Sequence, residues 1–166
     1  MPLLLALVFG MLSGGLSYNR KLALTNGVRE GSRYGSTLAV AQARTQASPA
    51  CTLAEDIDCW LSQVLKITEQ AAEGEVGTSV SARRICVAYV HPDGSGPADS
   101  TRSRLRTSAA TDVTTVGGTC YDDGRPPAER RVQVSAQRDG KLELILSSTA
   151  LTLSSRSVTR FEATTS

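Results

Sequence analysis

The stretch LALTNGVREGSRYG, residues 22–35, follows the apolar segment 1–16 with neither a proline nor a cluster of turn-forming residues between them. An apolar start that continues without a break into a polar, alanine- and glycine-rich stretch predicts one long helix. Pro49 predicts the end of this helix, because a proline disfavours helical geometry in the residue before it. The sequence therefore predicts a helix from the apolar start to about Ala47.

No charged side chain precedes Arg20. About 18 uncharged residues of helix span ~27 Å, slightly less than the ~30 Å hydrocarbon core of a bilayer. We interpret residues 1–18 as a transmembrane anchor. A cleaved signal peptide is the alternative, but no basic residue precedes Leu3 and no A-x-A-like cleavage site follows.

Two signals about membrane orientation conflict. Arg20 and Lys21 are cytoplasmic by the positive-inside rule, whereas four cysteines beyond the apolar segment favour an oxidising compartment. A natural start upstream of Pro2, with a short basic leader, would reconcile the two signals. Reading the DNA upstream in frame tests this hypothesis, and an immediate stop codon would exclude it.

Small residues recur at every fourth position of the predicted helix: Ala23, Gly27, Gly31, Gly35, Ala39, Ala43 and Ala47. Gly10 and Gly14 add a G-x-x-x-G pattern inside the apolar segment. Such rows allow another helix to approach closely. Each glycine costs about 1 kcal/mol of helix stability relative to alanine, which close packing would offset. The spacing therefore predicts a helix-packing surface.

The second half of the chain predicts an α+β fold. An apolar stripe marks a helix that begins at a Thr52–Glu55 capping box: Leu53, Ile57, Trp60, Val64 and Ile67. Strands are predicted over 85–90, 112–116, 131–137 and 151–161. A hairpin turn is predicted at Asp139-Gly140, and it leads into a strand with Leu142, Leu144 and Leu146. The Ser/Thr/Arg-rich residues 95–112 are interpreted as a loop with solvated arginines. This pattern predicts a helix packed on an antiparallel sheet of about four strands.

The four cysteines, Cys51, Cys59, Cys86 and Cys120, are even in number and predict two disulfides. A zinc site is the alternative, but no C-x-x-C pair is present. We predict a Cys86–Cys120 bond, and Cys51–Cys59 follows by elimination. The second pair is geometrically doubtful if both residues flank two helical turns, because ~10 Å along the axis exceeds disulfide reach.

Charge and motifs argue against two classes of function. A net charge of +2, with interspersed signs, does not predict a nucleic-acid surface. The single histidine, His91, precedes a proline in a predicted turn, and no nucleophile, zinc or phosphate-binding motif appears. We therefore assign no catalytic residue, metal ligand or cofactor, and a hydrolase that uses His91 is the disfavoured alternative.

The N-terminal residues resemble TadE-like proteins, the pseudopilins or minor pilins of the tight-adherence (Tad) pilus system. That family shows an aromatic residue followed by L-T-N-A-A-R-E-G-A-R-Y-A. The matching positions here are Tyr18, Leu24, Thr25, Asn26, Arg29, Glu30, Gly31, Arg33 and Tyr34. A basic leader and peptidase site usually precede a Pro-Leu-Leu-Leu run in this family. Here residues 2–5 resemble that run without the leader, so no processing site is assigned.

The resemblance implies a non-catalytic, membrane-anchored pilin-like protein. Residues 1–18 would be the anchor, residues 19–48 a helical extension and residues 51–166 an exported α+β domain. The N-terminal helix would pack, through its row of small residues, against other pilin-like subunits and Tad assembly proteins. The alternative is a secreted, disulfide-stabilised binding module whose apolar start is a cleaved signal peptide.

Overall fold

The computed structural model describes residues 2–46, 51–72, 74–76, 83–91, 101–107, 112–126, 129–144 and 147–162. In these residues, three helices precede five strands along the chain. The helices are α1 (Pro2–Thr37), α2 (Ala43–Gln46) and α3 (Asp56–Ala71), with a 3-10 turn at Val40–Gln42. The strands are β1 (Arg83–Val90), β2 (Arg102–Thr107), β3 (Asp112–Val116), β4 (Arg131–Leu144) and β5 (Ser147–Arg160).

The five strands form one antiparallel sheet in the order β3-β2-β1-β4-β5. β4 and β5 pair along their whole length, from Arg131↔Arg160 to Leu144↔Ser147. β1 pairs with β4 only as far as Arg138 in the described residues, so the β4–β5 ladder extends beyond the described part of β1. The predicted α+β class is confirmed, with five strands in the described part of the chain.

The core lies between one face of the sheet and two antiparallel helices, α3 and the second half of α1. α1 packs over β4 and β5, and α3 packs mainly over β1 and β2. The predicted apolar stripe of α3 faces this core, with Ile57, Trp60 and Val64 fully buried. The Trp60 ring meets Tyr89 edge-on at a centroid distance of 5.5 Å. The rest of the core is mainly aliphatic, so these two large rings contribute much of its buried apolar area.

The long helix ends ten residues earlier than the sequence predicts, at Thr37 instead of about Ala47. Ala39 adopts an extended backbone, with φ −66° and ψ 134°. The predicted continuation is replaced by the 3-10 turn and α2, and Ala47 and Pro49 lie outside the described residues.

Hydrogen bonds from the folded domain explain this early end. The backbone N–H of Glu162 donates to Ser36 O at 2.9 Å, and the Trp60 indole N–H donates to Leu38 O at 3.0 Å. The last carbonyls of a helix need partners outside the helix. Here Glu162, just after β5, binds a carbonyl of the last helical turn, and the core tryptophan binds the carbonyl of the first residue after the helix. No further helical turn is then required to satisfy these groups.

The predicted capping box is wrong, because α3 begins at Asp56 and the N-cap residue Glu55 makes no side-chain capping bond. Residues 51–55 are not helical. Cys51 therefore approaches Cys59 to a Cα–Cα distance of 5.8 Å, and the two form a disulfide. The geometric doubt about this pair assumed a helix over residues 52–59, which the chain does not form.

The predicted hairpin turn at Asp139-Gly140 is also wrong. Both residues lie inside β4, where Asp139 pairs with Thr152 and Gly140 with Leu151. The ladder continues past them to the end of β4. A D-G pair often forms a hairpin turn, but here the longer ladder is formed instead.

Candidate functional site

The first half of α1, residues 2–19, lies outside the core. Its large apolar side chains are between 43% and 70% exposed: Leu4, Leu5, Leu7, Val8, Phe9, Met11, Leu12, Leu16 and Tyr18. On a helical wheel of ~100° per residue, these positions cover somewhat more than half of the circumference, and Gly10, Ser13, Gly14 and Ser17 lie on the remaining side. The exposed apolar face is therefore wider than the single stripe of an ordinary surface helix. Within the described residues, no helix has both the length and the apolar character that a membrane crossing requires.

The second half of α1 is part of the folded domain, and its glycines lie against α3. A Cβ atom at Gly27 would stand 2.8 Å from Thr68 O, and one at Gly31 would collide with the Thr68 hydroxyl. A Cβ at Gly35 would stand 3.0 Å from the Trp60 ring. Real Cβ contacts are longer than this, so only glycine permits the observed approach of the two helices.

The row of small residues therefore divides into parts with different surroundings. Gly27, Gly31 and Gly35 pack against α3 of the same chain instead of a helix of another subunit. A Cβ atom at Gly10 or Gly14 would meet no described atom within 4 Å. Ala23 is half-buried, and Ala39 lies beyond the end of α1. Packing of Gly10 and Gly14 against partner helices stays a prediction.

Small hydroxyl side chains hold α1 against the edge strand β5. The hydroxyls of Ser32 and Ser157 lie 2.7 Å apart, and the Ser155 hydroxyl lies 3.3 Å from that of Thr25. These short side chains allow the helix to lie close to the strand. The second half of α1 is thus fixed on two sides, by α3 and by β5.

The residues of the TadE-like pattern also divide into two sets. Leu24 and Gly31 are buried, and Thr25 is half-buried beside β5. The half-buried Tyr34 donates its hydroxyl hydrogen to Gln63 Oε1 at 3.0 Å. The exposed set is Tyr18, Asn26, Arg29, Glu30 and Arg33. The buried residues of the pattern pack within the folded chain. The exposed residues lie together on one face of α1, which contacts no other part of the described chain closely enough to be buried.

Arginines that the sequence places in a loop instead lie in β2 and face α3. Arg102 pairs with Glu55 at 2.6 Å, Arg104 with Asp112 at 3.1 Å, and Arg106 with both Asp112 and Glu69 at 2.7 and 2.9 Å. The interpretation of these arginines as a solvated loop is wrong. The alternation R-S-R-L-R has the period of a strand with one charged face, and this signal was available in the sequence.

These ion pairs shift the pKa values of two of their members, Asp112 and Arg106. Burial acts to raise the pKa of Asp112, but the hydrogen bonds and charges of Arg106 and Arg104 outweigh it, so the pKa lies below its usual range. The hydrogen bond to Asp112 raises the pKa of Arg106. Both groups are therefore charged at neutral pH, and they join β2, β3 and α3.

A second buried carboxylate, Asp123, holds the loop after β3 against the face of the sheet opposite the helices. It accepts hydrogen bonds from Arg131 Nε at 2.7 Å and from Gln133 Nε2 at 2.8 Å. Burial acts to raise the pKa of Asp123, but hydrogen bonds from Gln133, the Arg125 backbone and Arg131 outweigh it and lower the pKa. The Cys86–Cys120 disulfide, with the predicted pairing, fixes the same loop to β1.

His91 lies at the end of β1 and is 8% exposed. Its ring stacks on Tyr89 at a centroid distance of 6.0 Å, and its backbone N–H donates to Thr101 Oγ1 at 3.1 Å. The histidine is thus packed against the aromatic centre of the core.

Comparison with known proteins matches residues 1–33 to the family model described as TadE-like protein. The match covers most of α1 and ends before Gly35, so it confirms the resemblance drawn from the N-terminal residues. No curated protein shows significant similarity to this chain. No solved structure does so either.

Proposed function

From the match of residues 1–33 to the TadE-like family model, we propose that the chain is a non-catalytic, membrane-anchored pilin-like protein of the tight-adherence pilus system. One observation carries the proposal. α1 is a single helix of which one half is apolar and exposed, while the other half is packed into the folded domain. In this proposal residues 1–18 anchor the protein and residues 51–166 are the exported domain. Residues 19–48 link the two, and within them Leu24 and Val28 pack into the core of that domain.

The exposed apolar half is the strongest support for anchoring. Removing a leucine or phenylalanine side chain from water stabilises a protein by about 1.5–3 kcal/mol. The first half of α1 leaves a continuous set of such side chains in water. Exposed apolar surface of this extent is typical of a region that binds lipid or another protein. The lipid bilayer and the helices of other pilin-like subunits are the partners that fit it.

The two disulfides support an extracytoplasmic position for the folded domain. Cys51–Cys59 and Cys86–Cys120 both lie beyond α1. Disulfides persist in oxidising compartments and are rare in the cytosol. The proposed location is therefore the cell membrane, with a single anchor and the domain on the outer side, where it can join a pilus or its assembly base.

Flotation of the full chain with phosphatidylcholine vesicles tests the anchoring. A Leu7→Gln/Leu12→Gln variant should bind vesicles at least tenfold more weakly, since each substitution removes more than the ~1.4 kcal/mol that corresponds to a factor of ten. A matched control is Val113→Gln/Val116→Gln, which changes two exposed apolar residues of β3. Absence of wild-type binding, or an equal loss in the control, would contradict the proposal.

The pilus role needs a cellular test. Cells that lack the gene should regain surface pili when they express the wild-type chain, but not when they express Leu7→Gln/Leu12→Gln. Restoration of normal pilus numbers by that variant would contradict the proposed role of α1 in assembly.

A secreted binding module is the second candidate. It is favoured by the position of Leu24 and Val28, which are the first α1 residues in the core. Cleavage near Ser17 would therefore leave the core intact. N-terminal sequencing of the exported protein separates the candidates, because retention of residues 3–16 supports the anchored protein and a start near Ser17 supports the module.

A further inference from the structure

A shallow cleft of polar residues lies on the sheet face opposite α1 and α3. Its floor is formed by neighbouring positions of the central strands, where Leu105, Cys86 and Ser135 pair in one row across β2, β1 and β4. Residues 118–120 form a wall, and the Cys86–Cys120 disulfide holds this wall in place. The disulfide therefore ties the wall of the cleft to its floor, on the side of the sheet opposite α1.

Two arginines line this cleft, and both differ from the other arginines of the sheet. Among the described residues, each of the other strand arginines pairs with a carboxylate: Arg83, Arg102, Arg104, Arg106, Arg131, Arg138 and Arg160. Arg84 and Arg156 form no such ion pair in that part of the chain. The two cations of the cleft are therefore available to an anion from solution.

The position of Arg156 is fixed without a carboxylate. Its guanidinium carbon lies 5.1 Å from the centroid of the Tyr121 ring, a cation–π contact. The Tyr121 hydroxyl donates to Ser157 O at 2.8 Å, which holds the ring against β5. Arg84 lies in the adjacent row of the sheet, where β1 and β4 pair it with Gln137.

The rest of the lining is rich in hydroxyl groups. No carboxylate is present among the described residues that line the cleft, whereas the hydroxyls of Ser103, Thr115, Thr119, Ser135 and Ser154 all border it. A guanidinium group forms two parallel hydrogen bonds with a carboxylate. Hydroxyl and amide side chains, such as Gln137, both donate and accept hydrogen bonds, as the hydroxyls of a sugar do.

We propose that this cleft binds a carboxylate-bearing saccharide. Arg84 and Arg156 hold the carboxylates, while Gln137 and the hydroxyl side chains bind the sugar hydroxyls. Two cations are too few to track a nucleic-acid backbone, which needs a longer basic surface. The proposal does not depend on the role of α1, because the cleft and the helices lie on opposite faces of the sheet.

Titration of the full chain in detergent micelles with a short oligogalacturonate, followed by calorimetry, tests the proposal. Arg84→Gln and Arg156→Gln should each weaken binding at least tenfold. Arg160→Gln is the matched control, since Arg160 lies in the same strand as Arg156 but pairs with Glu129. It should leave the dissociation constant within twofold. A neutral maltooligosaccharide of equal length should bind at least tenfold more weakly than the uronate.

Three results would overturn the proposal. The first is absence of uronate binding by a folded wild-type chain, as judged by circular dichroism. The second is an equal loss of binding in Arg160→Gln, which would indicate a general charge effect. The third is equal affinity for inorganic sulfate and the uronate, which would show that the cleft selects a free anion and not a saccharide.

Discussion

The two halves of α1 carry similar glycine spacings but have different surroundings. Gly10 and Gly14 lie in the exposed half with no described atom nearby, whereas Gly27, Gly31 and Gly35 lie within contact distance of α3. Spacing alone predicts that a helix can be approached closely. It does not say whether the approaching helix belongs to the same chain. Gly27, Gly31 and Gly35 therefore allow α1 to pack on α3 within the domain, whereas the first half of α1 is available to other partners.

The largest expected effect on the free energy of unfolding comes from removing a side chain on which the second half of α1 packs. Trp60→Ala should destabilise the domain by about 3–5 kcal/mol, because it removes a fully buried ring that contacts α1, β1 and the end of β5. Urea unfolding followed by circular dichroism measures this change. An effect below about 1 kcal/mol would indicate that Trp60 does not join the second half of α1 to the domain.

One glycine substitution in each half of α1 tests whether the two halves differ in packing. Gly27→Ala should destabilise the domain by about 1–3 kcal/mol, because the new Cβ meets the Ala72 Cβ and the Thr68 carbonyl. Gly14→Ala should leave domain stability unchanged and add helix content, because no described atom lies near its Cβ. Equal effects of the two substitutions on urea unfolding would remove the distinction between the halves.

Lowering the pH should destabilise the folded domain, and by less than the substitutions described above. The folded-state pKa values of Asp112 and Asp123 lie below the ordinary value. Their stabilisation is therefore fully present above about pH 5 and is lost as the pH falls below the unfolded-state pKa of about 4 and through the lowered folded-state values. Unfolding measured from pH 7 to pH 2 should show this loss, and Asp123→Asn should reduce it.

The exposed half supplies the control for this pH experiment. Residues 1–17 contain no titratable side chain. Vesicle binding should therefore be the same at pH 7 and pH 4.5, where the domain stays folded. Binding that changes severalfold in this range would show that a titratable group outside residues 1–17 contributes to it.

The smallest expected effect on the domain comes from changing the exposed half. Leu12→Gln should alter the free energy of unfolding by less than about 0.5 kcal/mol, because the side chain is 59% exposed. A larger destabilisation would mean that the first half of α1 packs on the domain in solution.

The periodic parts of the sequence predict the fold well. The α3 stripe and the alternation of β4 reflect burial of one face, and the apolar run of β1 reflects a strand that is buried at most positions. The end of α1 at Thr37 was not predictable in this way. It depends on Trp60 and Glu162, which are distant in sequence and donate hydrogen bonds to carbonyls at the end of the helix and just after it.

The residues of the candidate site in α1 could be predicted from the sequence, but the groups that they contact could not. The apolar residues 4–16 and the glycine spacing are visible in the sequence. The contact of Gly27 and Gly31 with Thr68, however, depends on the tertiary structure. The polar cleft escaped prediction because it joins all five strands through their register. That Arg84 and Arg156 have no carboxylate partner within the described part of the chain can be recognised only after the partners of the other strand arginines are known.

Amide hydrogen exchange on the full chain, with and without phosphatidylcholine vesicles, tests the division of α1 most directly. Residues 24–36 should exchange slowly in both conditions, because they are packed against α3 and β5. Residues 4–18 should exchange rapidly without vesicles and at least tenfold more slowly with them. Equal protection of the two halves without lipid, or no change at residues 4–18 when vesicles are added, would contradict the account.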